Sequence, residues 1–149
     1  LEAGNLNVPA LAGLNAAVEQ CNESELEQRR GHARALAEQL RCGLSELPHL
    51  SVHGPLDDLP IASVTIEGLS PGDAAMILDA EFHIEARSGL HCAALIHGFL
   101  GTQSEGTLRL SAGHSTTTAE VDAVLEALRE IVTSIHQSQA APDGNRQSL

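Results

Sequence analysis

In the segment Arg87-Ser88-Gly89-Leu90-His91-Cys92, a thiol directly follows an imidazole and lies close to a guanidinium. A thiol attacks only as the thiolate, and nearby positive charge favours that form. Gly89 permits a sharp turn. The apolar run after it predicts a short helix from Cys92 to Leu100, stopped by Gly101. A helix N-terminus at the thiol would favour the thiolate further. Cys92 is therefore the candidate catalytic nucleophile; the alternative is a buried structural cysteine, the commonest fate of a free thiol. Cys21 and Cys42 lie in or beside predicted helices without this setting and read as structural.

Arg109 is the second chemically informative residue. In Gly106-Thr107-Leu108-Arg109-Leu110-Ser111 a regular strand turns Leu108 and Leu110 to one face and Arg109 to the other. A guanidinium is a planar fork that grips a carboxylate with two hydrogen bonds. Arg109 and Arg87 are the candidate substrate-binding residues, with an ordinary surface arginine as the alternative for each. His91, Cys92, His97 and His114 lack the tight paired spacing of zinc ligands, and no metal site is read from the sequence.

Composition limits what these residues can do. The chain of 149 residues suits one domain. It is 42% hydrophobic, enough for a core, but its only aromatic carbocycles are Phe82 and Phe99, so the core must be aliphatic. Formal net charge is −12. Arg29, Arg30 and Arg34 are interleaved with Glu23, Glu25, Glu27 and Glu38, which predicts a salt-bridged, solvated helix face rather than a nucleic-acid footprint. Three cysteines are too few for a disulfide framework, so a reducing, cytoplasmic setting is expected. No apolar run has transmembrane length, and no signal peptide is read before the first helix. The sequence begins at Leu1 and its single methionine is Met76. All eight basic residues are arginine; there is no lysine.

The elements that must position the site follow from periodicity. Asn7 caps a first helix with Pro9 in its first turn and Val8, Leu11, Leu14 and Val18 at helical spacing. A second helix is predicted from Ser24, whose spacing to Glu27 suits a capping box, and Pro48 stops it. Leu50 to His53 and Ile61 to Glu67 read as strands, Ser70-Pro71 opens a third helix, and Ile84-Glu85-Ala86 reads as a strand feeding the cysteine loop. Thr107 to Ser111 is a strand. Thr117 and Glu120 box the start of a last helix with Val121, Val124, Leu125, Leu128, Ile131, Val132 and Ile135 on one stripe. A disordered tail is expected over 138–149. The sum is an α+β domain, a few strands with helices mainly on one face.

Taken in order, these motifs resemble a known family. Arg87 to Ala93, then His97, then Gly106 to Ser111 are similar to the C-terminal part of cysteine desulfurases, in the class V aminotransferase group of pyridoxal-phosphate enzymes of fold type I. Glu2-Ala3-Gly4-Asn5-Leu6-Asn7-Val8-Pro9 resembles the segment leading into that part, and Ser115 to Ile131 its last helix. The likeness covers about residues 2 to 135. Three positions depart from it: Asn5 stands where threonine is usual, Ala94 where proline is common, and Ser115-Thr116-Thr117 where Phe-Asn-Thr is usual.

The resemblance implies the small C-terminal domain of that fold, with a short, mostly antiparallel sheet. Residues 1–20 would be the linking helix from a larger upstream domain and residues 21–137 the small domain. It implies that L-cysteine is converted to L-alanine, with Cys92 taking the sulfur as a persulfide and Arg109 gripping the carboxylate. His91 and His97 would line the site, and Asn5 would reach the cofactor phosphate of a partner subunit. Pyridoxal phosphate would sit on a lysine of the larger domain, in a homodimer that passes sulfur to an acceptor protein. Two other readings stay open: a class V C–S lyase, such as one acting on selenocysteine, and a domain with no catalytic role by itself.

Overall fold

The computed structural model describes residues 4–54 and 58–140. Its elements run α1 (Val8–Glu19), α2 (Glu23–Ser45), β1 (Leu50–His53), β2 (Ile61–Ile66), α3 (Pro71–Phe82), β3 (Arg87–Gly89), α4 (Ala94–Leu100), β4 (Thr107–Ser111) and α5 (Thr118–Ala140). The four strands form one antiparallel sheet in the order β1-β2-β4-β3.

Alternation along β2 and β4 builds the core. Ala62, Val64 and Ile66 of β2 and Leu108 and Leu110 of β4 are buried on one face. Against them pack Leu36, Leu40 and Leu44 of α2, Ala74 and Leu78 of α3, and Val121, Leu125, Leu128 and Val132 of α5. A small-aliphatic core of this kind needs close helix approach. At Gly43 a β-carbon would collide with the Leu125 side chain, so this glycine lets α2 and α5 meet. The sheet's other face carries no helix of this layer, and its strands turn Ser63, Arg109 and Arg87 that way.

Helix starts follow side-chain chemistry. Asn7 accepts from the Ala10 N–H, and Ser70 accepts from the Asp73 N–H with Pro71 in the first turn. Thr117 and Glu120 exchange hydrogen bonds as a capping box: the Glu120 N–H donates to Thr117 Oγ1, and the Thr117 N–H to Glu120 Oε2. The second helix differs from expectation. Asn22, not Ser24, is its cap, accepting from the Glu25 N–H, because an asparagine two residues earlier offers the same acceptor.

Two further differences have local causes. Ile84 to Ala86 is not a strand; the Ile84 N–H is taken up by Leu78 O, closing the end of α3 around His83 in the left-handed region. The strand forms one turn later, at β3. The helix expected from Cys92 starts at Ala94. Of the tail expected from residue 138, residues 138–140 continue α5 and residues 141–149 lie outside the described residues. Residues 1–3 of the opening motif and Pro55 also lie outside them.

No residue of α1 is buried, and in α4 only His97 is. Val8, Leu11, Leu14 and Val18 thus stand in solvent, each about half exposed or more. Among the described residues no helix is long and apolar enough to cross a membrane.

Candidate active site

The cysteine loop begins where β3 leaves the sheet. Gly89 pairs with Thr107, and a β-carbon at Gly106 would collide with the Gly89 carbonyl, so the two backbones touch at the mouth of the loop. Gly106 also has φ +77°, a conformation glycine adopts without penalty. The chain then reverses through Leu90–Ala93, closed by a hydrogen bond from the Ala93 N–H to Leu90 O at 2.8 Å. Its central residues, His91 (φ 51°) and Cys92 (φ 59°), both adopt positive φ, as in the mirror-image turn types. This is why Cys92 lies outside α4: a left-handed residue cannot continue into a right-handed helix. α4 has only 7 residues.

Cys92 is exposed. Its Sγ lies 4.0 Å from Arg87 Nη2, at the limit of a hydrogen bond to sulfur. Arg87 in turn sits directly opposite Arg109 in the β3–β4 register, and Arg109 opposite Ser63 of β2. The sheet therefore gathers Cys92, Arg87 and Arg109 on its open side. Arg109 is half-buried, and its Nε–H has no hydrogen-bond partner among the described residues. A buried charged donor left unpaired is costly, and an anion brought against the guanidinium relieves that cost.

The two histidines hold the loop. His97 is 3% exposed; its Nε2 donates to Leu90 O at 3.1 Å and its Nδ1 accepts from Thr102 Oγ1 at 2.8 Å. Both ring nitrogens are engaged, so His97 braces the turn. His91 Nε2 donates to Thr107 O at 3.0 Å, which ties the turn to β4. Burial pushes the His91 imidazole below its ordinary pKa. The Arg109 and Arg87 charges add to that, and the Thr107 carbonyl opposes it. The neutral ring leaves Nδ1 as a lone pair with no partner.

Other residues singled out in the sequence fall elsewhere. Asn5 is exposed ahead of α1 and makes no hydrogen bond to these groups. Cys21 and Cys42 are exposed rather than structural. Cys21 Sγ bonds to Ala17 O at 3.4 Å and Cys42 Sγ to Glu38 Oε1 at 3.4 Å. The Glu38 hydrogen bond raises the Cys42 pKa, which disfavours its thiolate. Arg30 and Arg34 pair with Glu27 and Asp58, the solvated face expected of α2. Thr102 and Thr107, which fix the two histidines, carry no local signal in the sequence.

The pattern of the Aminotransferase class-V family matches residues 1–124. The chain belongs to that family. As a class V member it is similar to a "Probable cysteine desulfurase" of Pasteurella multocida, with 37% identity over 128 residues, 86% of this chain and 30% of that protein. Among solved structures, the cysteine desulfurase CsdA from Escherichia coli superposes with a TM-score of 0.76 at 29% identity, covering 90% of this chain and 33% of that one. The apo cysteine desulfurase from Thermococcus onnurineus gives 0.80 at 32% identity, covering 89% and 33%. The fold is thus that of cysteine desulfurases, and the chain spans about a third of the length of such relatives. The class V family implies pyridoxal phosphate, whose aldehyde is held as an imine by a lysine amine. This class V chain has no lysine, so its residues do not fit that covalent seat.

Proposed function

We propose that this chain is the substrate-facing and sulfur-accepting part of a cysteine desulfurase. The observation that carries the reading is the Cys92 thiol at 4.0 Å from Arg87, which stands across the sheet from Arg109. The relatives named as cysteine desulfurases support the same reading.

Arg109, with Arg87 beside it, binds the carboxylate of L-cysteine and orients its side chain toward the loop. The Cys92 thiolate attacks the substrate sulfur. An S–S bond forms and the substrate C–S bond breaks. Its electron pair stays on the carbon, which takes a proton and leaves as L-alanine. Cys92 is left as a persulfide, open to a sulfur-acceptor protein at the surface. Pyridoxal phosphate on a lysine-bearing part of the enzyme supplies the electron sink. The 149 residues alone turn over no cysteine. We further propose that α1 links to that part, that the complete enzyme works as a cytoplasmic homodimer, and that its ligands include no nucleic acid.

The test uses the enzyme that unites this chain with a lysine-bearing cofactor part. With L-cysteine it should yield alanine, and the peptide holding Cys92 should gain the mass of one sulfur atom. Alkylating Cys92 should stop turnover. If alanine still appears after alkylation, with added dithiothreitol reducing the released sulfur to sulfide, the chain serves a C–S lyase and the reading is wrong.

A further inference from the structure

Away from the cysteine loop, three side chains from distant parts of the sequence meet at one edge of the fold. His49 lies between α2 and β1, Glu67 directly follows β2, and His136 is on α5. One ligand atom from each lies within 4.8 Å of the other two. His49 Nδ1 is 2.9 Å from Glu67 Oε2. The His49 and His136 rings stack with centroids 3.7 Å apart and planes 25° apart. His136 Nε2 is shut away from solvent with no hydrogen-bond partner.

We propose that His49, Glu67 and His136 bind one zinc ion. Two imidazoles and a carboxylate are a donor set that suits zinc, whereas magnesium and calcium prefer oxygen alone. Zinc bonds of about 2.0–2.1 Å put ligand atoms roughly 3.4 Å apart in a tetrahedron. Binding requires the two stacked rings to tilt so that their in-plane lone pairs converge on one ion, and His49 and Glu67, both exposed, have room to turn. The backbone already holds two of the ligands together, since the Glu67 N–H donates to His49 O at 2.9 Å. His49 sits at φ +58°, which fixes the reversal that brings its ring beside α5. Three protein ligands leave a fourth position for water or an exogenous group. An ion here would clamp α5 to the β1–β2 edge.

The thiols must be silenced in the test, because all three cysteines are exposed and thiolates also bind zinc. Zinc is titrated by calorimetry into the untagged, iodoacetamide-treated 149-residue chain, with cobalt absorption as a second readout. One ion per chain should bind, the melting temperature should rise on saturation, and the cobalt spectrum should show nitrogen and oxygen ligation. Glu67→Gln and His136→Ala should each weaken binding at least tenfold, while His53→Ala should not. Circular dichroism confirms that each variant is folded, and exposed Glu67 supplies the variant least able to disturb the core. Absence of saturable binding, or binding by Glu67→Gln and His136→Ala as tight as that of the unsubstituted chain, would overturn the proposal.

Discussion

Arg87 and Arg109 stand directly opposite one another on neighbouring strands. Like charges at such a cross-strand pair repel, and neither arginine has an acidic partner among the ion pairs of the described residues. An anion placed between or beside the guanidiniums would relieve the pair, and a substrate carboxylate is the anion proposed above. Losing a charge-assisted contact of this kind costs about 1.5–3 kcal/mol. Arg109→Lys keeps the charge but loses the fork. In the complete enzyme it should lower kcat/KM for L-cysteine by roughly ten- to a hundredfold, measured as initial rates of alanine formation. An unchanged rate would remove Arg109 from the substrate site.

His97 predicts a link between a buried ring and the reactivity of a distant thiol. His97→Phe leaves Leu90 O and Thr102 Oγ1 without this partner, at a cost of about 1–3 kcal/mol. The turn holding Cys92 should loosen. The rate of Cys92 alkylation should change, while that of Cys21 stays as it was. Peptide-resolved mass spectrometry separates the two, and equal behaviour of both thiols would show that His97 does not brace the loop.

Two glycines should respond in opposite directions. Gly106→Ala meets both a left-handed backbone and the Gly89 carbonyl, so a loss on the order of 3 kcal/mol is expected. Gly31 lies inside α2 with nothing within 4 Å of an added methyl. Gly31→Ala should gain up to about 1 kcal/mol from helix propensity. Urea unfolding of the two variants checks both signs.

The pH dependence of stability follows from His91. Burial holds its folded pKa below the ordinary 6.5, so folding favours the neutral ring. As pH falls, the unfolded chain takes up the proton first. The contribution is therefore whole above pH 6.5 and is lost as pH drops through the folded value. His91→Asn should flatten the stability slope in that window by up to one proton. Parallel slopes for the two proteins would show that another group is responsible.

Most of the fold was legible because it rests on local pattern. Alternation in β2 and β4, the Ser70-Pro71 start and the Thr117–Glu120 box each declare an element within a few residues. Two of the misreadings occurred where a backbone turned left-handed. His83 converted the expected strand at Ile84 into a helix end, and His91 with Cys92 delayed α4 to Ala94. None of these three residues is a glycine, so composition carried no warning. The residues of the candidate site were visible singly, and the family resemblance implied that they meet, but no local pattern did. Their meeting depends on the β3–β4 register and on Thr102 and Thr107, which are non-local. His49, Glu67 and His136 were invisible for the same reason: no spacing rule joins a loop, a strand end and a helix.

The bare helix α1 bears on how the molecule is assembled in time. Twelve residues make a helix that is marginal in water without a surface to lie on, and this core provides it none. Its amide protons should exchange with solvent orders of magnitude faster than those of Leu36 to Leu44 in α2. The folding of the sheet and its three covering helices then proceeds independently of α1. Whatever rigidity the segment has must then come from its own backbone hydrogen bonds and not from this core.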